Sequence, residues 1–403
     1  MRSILRVAPL PLLAAALLSA CSDRLPSDAG VAPRGPLLTV TPTNAFVSID
    51  AGSLHTCGLT SAGQPWCWGR NSVGQLGDST AAATTVPVAT FQMGWNAFSQ
   101  VTAGGLHSCG LVSGQAWCWG NNGDGRLGDG TSMNLALAPV QVLQGALSFT
   151  VLSAGDAHTC GLDSSGQAYC WGRNDYGQIG DNSKAFAAAP TAVQQPAGVT
   201  FTQIASGARH TCGLTSGGQA YCWGYNADGQ LGIGAALQSL VPAAVSQPVG
   251  VTFASIYTEY QHSCGLTSGG QAYCWGLNGN GQLGDNSTTT RKTPVAVSQG
   301  GGLTFVTLST GSAHTCGLDS SGAAYCWGFN SNGQLGTSNT TSSLVPVAVS
   351  MPAGVTFTQV SIGSVHSCGL DGNGQTWCWG RNTWGMVGDG TTTQRTSPVA
   401  VSH

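Results

Sequence analysis

One tripeptide pattern, His-x-Cys, returns seven times at near-constant spacing, and this constrains the fold more than any other feature of the chain. It stands at His55-Thr56-Cys57, His107-Ser108-Cys109, His158-Thr159-Cys160, His210-Thr211-Cys212, His262-Ser263-Cys264, His314-Thr315-Cys316 and His366-Ser367-Cys368. Successive cysteines lie 52, 51, 52, 52, 52 and 52 residues apart. A period of this length marks stacked supersecondary units, none of which can bury its apolar faces alone.

Each unit carries the same four parts. A short apolar segment such as Phe201-Thr202-Gln203-Ile204 precedes the His-x-Cys-Gly-Leu segment. A third segment reads Tyr/Trp-Cys-Trp-Gly, as in Tyr221-Cys222-Trp223-Gly224. An Asn-x-x-Gly-Gln-Leu-Gly turn then leads through a variable loop to a Pro-led strand such as Pro294-Val295-Ala296-Val297. Proline at a strand start gives up no central ladder bond, so this last strand is expected to begin at a sheet edge. With 60 glycines among 403 residues, turns separate many short strands. The expected class is all-β: a seven-bladed β-propeller over residues 37–403, with four short antiparallel strands per blade.

The second and third segments fix a register. In the fourth unit Cys212 and Cys222 are symmetric about Gly217, so a hairpin centred there opposes Cys212 to Cys222, Thr211 to Trp223 and His210 to Gly224. The second unit is one residue shorter, yet centring on Ser113-Gly114 opposes Cys109 to Cys118 and His107 to Gly120. Opposed positions share a sheet face. Fourteen of the fifteen cysteines therefore form seven local pairs: Cys57–Cys67, Cys109–Cys118, Cys160–Cys170, Cys212–Cys222, Cys264–Cys274, Cys316–Cys326 and Cys368–Cys378. An even set at fixed spacing in an exported chain reads as a disulfide framework.

Cys21 is left over, and the N-terminus accounts for it. Arg2 and Arg6 precede an apolar run from Val7 to Leu18, too short to span a bilayer and proportioned as a secretory signal. The run ends in Leu18-Ser19-Ala20-Cys21, which resembles the bacterial lipobox, a resemblance that implies lipidation of Cys21. Residues 1–20 are then a lipoprotein signal peptide and residues 21–36, with Pro26, Pro33 and Pro36, a flexible tether. The expected location is the bacterial cell envelope, on the outer membrane or cell surface if the cell has one, with membrane contact through the anchor alone. Without residues 1–20 the chain carries 11 basic and 16 acidic side chains, a net −5, and shows no basic stripe. Nucleic acid is therefore excluded as a partner.

The laid-out units resemble the regulator of chromosome condensation repeat family, in an exported bacterial branch. The fourth unit carries the likeness in Gly207, His210, Thr211, Leu214, Trp223, Gly224, Asn226, Gly229, Gln230, Leu231 and Gly232. The match covers roughly residues 46–403 and implies seven blades. The namesake acts on a nuclear GTPase and on chromatin, partners that an exported acidic chain does not meet, so fold carries over and function does not. Bacterial relatives that inhibit β-lactamases imply that the ring can serve as a protein-binding face.

Catalytic constellations are thin. His-x-Cys with a facing Cys offers three zinc ligands, but seven identical copies in oxidising surroundings favour disulfides, so no metal site and no cofactor are expected. Seven of the eight histidines share one structural position, and Glu259 is the only glutamate. The units differ instead just before the His and just after Trp-Gly, two sets that the hairpin places at one end of each blade. Arg173, Arg209, Tyr225, Tyr257, Tyr260, Phe329 and Arg381 supply an aromatic and arginine set of the kind enriched at binding hot spots. The reading is a monomeric, non-catalytic scaffold that binds a protein or glycan through one rim. The alternatives are an inhibitor of an exported enzyme and an envelope hydrolase or lyase. Two closures of the ring stay open: Pro398–Ser402 beside Phe46–Asp50, or an added strand from Leu37–Val40.

Overall fold

The computed structural model describes residues 45–91, Gly94 and residues 97–402. Seven antiparallel sheets of four strands follow one another, and in each the strand order is the chain order. Blade 1 is built of β1 (Phe46–Ala51), β2 (His55–Thr60), β3 (Pro65–Gly69) and β4 (Thr84–Ala89). The equivalent first strands of the later blades, such as Gln203–Ser206 in blade 4 and Ser255–Thr258 in blade 5, line a central channel.

The central hairpins have the register expected from their symmetry. Cys212 opposes Cys222, Thr211 opposes Trp223 and His210 opposes Gly224, while in the shorter second blade Cys109 opposes Cys118. Seven disulfides join these positions, Cys57–Cys67 through Cys368–Cys378, with Cα atoms 4.0–4.1 Å apart. Cys21, the signal segment 1–20 and the tether 21–36 lie outside the described residues. No helix among the described residues is long and apolar enough to cross a membrane.

The hydrophobic core lies between blades rather than within them. Cys212, Leu214, Cys222, Leu231 and Val245 of blade 4 pack against Phe253, Ile256 and Trp275 of blade 5. The third-strand tryptophans, Trp68 through Trp379, are all fully buried. Burying each large apolar side chain contributes roughly 1.5–3 kcal/mol. The closing glycine of the turn makes room for the next blade's indole: a Cβ on Gly77 would lie 2.7 Å from Trp119, and its φ of 69° suits glycine alone.

Two expectations need correction. The proline does not open the fourth strand, because β4 begins at Thr84 and Pro87 sits inside it. The outer edge of the sheet tolerates it there, since an amide facing away from the third strand has no ladder bond to lose. The ring is also not closed by the last strand crossing to the first blade. Arg395–Ala400 pairs with the third strand of its own blade, and blade 7 meets blade 1 through packing and side-chain hydrogen bonds. Leu37–Val40 falls outside the described residues.

Candidate functional site

The most regular side-chain arrangement in the molecule is a circuit that runs through every blade. Each repeat histidine is fully buried, and its Nε2 lies 2.8–2.9 Å from the Ser or Thr hydroxyl that precedes the cysteine of the next blade. His366 completes the circuit by reaching Thr56 of blade 1 at 2.8 Å. Each hydroxyl donates its proton to a turn carbonyl of the preceding blade, as Ser108 does to Gln75 and Thr56 does to Met386. The imidazole must then donate from Nε2–H, which leaves Nδ1 unprotonated.

Burial pushes these imidazoles down to about 3 for His55, His158, His210, His314 and His366 and to about 4 for His262, so the circuit is neutral. The same carbonyls accept the next blade's tryptophan, as Gln75 does from Trp119 Nε1 at 3.0 Å. In blade 2 Arg126 replaces the glutamine, and Trp171 Nε1 has no acceptor. His and Cys are thus spent on cohesion. Sulfur is bonded to sulfur, and Nε2 is committed across a blade boundary.

Within each blade the two variable positions stand side by side. The residue after Trp-Gly donates its amide to the residue just before the His: Arg173 to Ala157, Tyr225 to Arg209, Phe329 to Ala313 and Arg381 to Val365, at 2.9–3.0 Å. Arg209 is the centre of a compact group. Its guanidinium carbon stands 5.2 Å from the Tyr176 ring centre and 5.8 Å from that of Tyr225, and the two tyrosine rings meet edge to face at 4.7 Å. Arg173 is paired instead with Asp175 at 2.5 Å. Tyr260, 43% exposed, follows Glu259, whose carbonyl accepts from the amide of Ala208 beside Arg209.

Arg381 and Phe329 occupy other sectors of the rim, and Arg381 donates to Thr383. Tyr257 does not belong to the rim. It lies in the first strand of blade 5 and packs against the core between blades 5 and 6, its hydroxyl 3.4 Å from Thr307 Oγ1. Strand alternation and one extra step along β-structure account for the misplacement: Tyr257 lies five residues before His262, inside the strand rather than in the turn.

Three contributors were not picked out from sequence. Tyr176 comes from the Asn-x-x-Gly turn, where other blades carry Val73, Asp124 or Asn280. Phe186, 54% exposed, and Leu237, 72% exposed, come from the variable loops of blades 3 and 4. Lys184 Nζ bonds Gln238 Oε1 across these loops, and Gln238 pairs with Tyr225, which holds the loops beside the aromatic group. The Asn-x-x-Gly position varies as widely as the two sets considered, and that signal was present in the sequence.

These features define a class: a repeat propeller with an invariant, cross-tied interior and a variable rim. The RCC1-like domain profile matches residues 84–403, and the regulator of chromosome condensation (RCC1) repeat profile matches residues 46–75. The ultraviolet-B receptor UVR8 of Arabidopsis thaliana is 30% identical over 363 residues, covering 89% of this chain and 82% of that protein. The chain belongs to the RCC1-like domain family. The human E3 ubiquitin-protein ligase HERC2 is 30% identical over 273 residues, 67% of this chain but 6% of HERC2.

Among solved structures, human WBSCR16 superposes with a TM-score of 0.76 at 22% identity, covering 84% of this chain and 94% of that one. Prp20p from Saccharomyces cerevisiae, described with its binding to Gsp1p and histones, gives 0.69 at 23% identity over 79% and 80%. Both likenesses concern the fold. The seven disulfides fit an oxidising setting.

Proposed function

We propose that this propeller is a non-catalytic scaffold that binds a protein partner through the rim of blades 3 to 5, held at the cell envelope by a lipid on Cys21. The observation that carries the reading is the Tyr176–Arg209–Tyr225 group flanked by exposed Phe186 and Leu237. Two tyrosine faces hold the guanidinium before any partner arrives, so less side-chain freedom is lost on binding. Aromatic and arginine anchors with an apolar surround are the composition of an interface centre. The seven repeat histidines and fourteen repeat cysteines are committed to cohesion, which supports binding rather than turnover.

The test uses the full oxidised chain as bait, with captured protein identified by mass spectrometry and its affinity measured on purified components. Arg209→Ala and Tyr225→Ala should each weaken that complex about 30-fold or more, a loss of about 2 kcal/mol, with an unchanged melting temperature. Unaltered affinity in both variants would remove the rim from the reading.

A further inference from the structure

The channel wall is finished differently in one sector. In each blade the first strand turns two amides toward the channel, an edge with no strand beside it. The preceding blade caps the second of these with the side chain one residue before the equivalent position. Asp50 caps Ala103 N at 2.9 Å, Thr102 caps Ala154 N at 3.3 Å and Ser153 caps Ser206 N at 2.9 Å. Ser309 caps Ile362 N at 3.0 Å and Ser361 caps Ala51 N at 2.9 Å. The series breaks at two successive blades, where the capping position holds Ala205 and Tyr257. Alanine has no acceptor, and the Tyr257 hydroxyl is spent near Thr307.

The amides of Thr258 and Thr310 therefore have no side-chain cap, and both residues line the channel. Thr258 Oγ1 is buried beside them without a partner. At the next position, six blades carry a glycine packed against its own histidine: a Cβ on Gly52 would lie 2.7 Å from His55 Cε1. Blade 5 alone places a side chain there, Glu259, and this residue lines the same cavity of about 370 Å³. Asp50 lies on the far wall. No described lysine or arginine forms an ion pair with either acid.

We propose that the channel sector of blades 5 and 6 binds a neutral polyhydroxyl ligand of the monosaccharide class. The sector offers amide donors beside two carboxyl groups whose ionisation burial opposes. An anion would satisfy the donors but set its charge beside those acid oxygens. A simple cation would satisfy the acids but leave the amides unmet, and no described group of three or more acids, histidines or cysteines is set to hold a metal. A sugar hydroxyl both accepts and donates, so one chemistry serves Thr258 N, Thr310 N and Glu259 at once. Leaving such groups without partners costs about 1–3 kcal/mol each when buried, and a ligand recovers that cost. The reading stands apart from rim binding, because Arg209 is not among the residues that line the cavity.

The restoring variants are Ala205→Ser and Tyr257→Ser, which give these two blades the residue already present at Ser153, Ser309 and Ser361. Ligand-observed NMR on the full oxidised chain, titrated with D-glucose, D-galactose and N-acetyl-D-glucosamine, should show saturable binding of at least one sugar. Each variant should weaken it about tenfold, the worth of one hydrogen bond in this setting, while Arg209→Ala leaves it unchanged. No saturable binding by any of the three would overturn the proposal. So would equal binding in the serine variants, or binding of glycine in place of sugars. Capture of a protein by the rim is unaffected by any of these results.

Discussion

The seam between blades 7 and 1 joins residues some 310 positions apart, whereas the seam between blades 5 and 6 joins neighbours in sequence. The distant pair is tied more densely. Gln359 accepts from Ile49 N at 3.1 Å and donates to Ile49 O at 2.7 Å, and Ser361 caps Ala51 N. Trp68 and Thr56 both reach the Met386 carbonyl and Phe46 N reaches Gly374 O, ties that the 5/6 seam repeats in Trp327 and Thr315 on Gln282 O and Phe305 N on Gly270 O. At the 5/6 seam, Ser255 stands where blade 7 has Gln359 and Tyr257 where it has Ser361. The linker there is Gly300-Gly301-Gly302, where blades 4 and 5 are joined through Pro248. The difference is local to the 5/6 seam, because the sequence-adjacent blades 2/3 and 4/5 keep the same clamp, Gln100 on Leu152 and Gln203 on Ile256.

The largest expected effect tests the histidine tie, one of those that both seams share. For each imidazole the folded value lies below the unfolded 6.5, so protonation favours the unfolded chain. The stability from these groups is complete above pH 6.5 and is lost as pH falls toward about 3. The loss approaches about 1.4 kcal/mol per pH unit for each ring. Burial raises Asp50 and Glu259 and so acts in the opposite sense, but these are two groups against seven. Tryptophan fluorescence over a pH series should show cooperative unfolding above pH 3. A chain still folded at pH 3 would contradict a neutral circuit and erase the common term of the comparison.

Next in size is Gly363→Ala at the closing seam. Its Cβ would meet the Gly52 carbonyl of blade 1 and lie 2.5 Å from His366 Cε1. A cost of about 3 kcal/mol follows from overpacking against backbone. Blade 5 already carries a Cβ at this position in Glu259, so urea unfolding of Glu259→Ala should show no comparable loss. Equal losses would mean that the two seams are packed alike.

The smallest effects sharpen the contrast in both directions. Gln359→Ala leaves Ile49 N and O unmet and should cost about 1–2 kcal/mol. Ser255→Gln should add the missing clamp to Leu308 and gain about 0.5–1 kcal/mol. If Ser255→Gln gains nothing in calorimetry while Gln359→Ala costs as stated, the 5/6 seam is held open by something other than the lost clamp.

The architecture was legible because its signals are local and repeated. The symmetry of Cys212 and Cys222 about Gly217 fixes one hairpin, and seven copies leave little freedom for the rest. What lay across a blade boundary was not legible. Nothing near His210 in sequence indicates Ser263 as its partner, because that contact exists only once the ring has formed. The rim was half readable. Arg209 and Tyr225 stood at positions that vary between units, whereas Tyr176 entered from a turn whose glycine and asparagine drew attention to conformation. Tyr257 was assigned by residue type, and its strand placement turned it toward the core between blades 5 and 6. The missing caps at Ala205 and Tyr257 become visible only when seven first strands are compared in register.

The placement of the sulfur bridges has a consequence for biosynthesis. Each joins cysteines 9 or 10 residues apart, while the next cysteine along the chain is some forty residues further on. For a polypeptide emerging N-terminus first into an oxidising compartment, the first cysteine of each bridge meets its correct mate as the next cysteine to appear. Oxidation can keep pace with emergence, one hairpin at a time, and a shuffling isomerase has little to repair. Only the final meeting of head and tail must wait for the complete chain, and that junction needs no covalent chemistry.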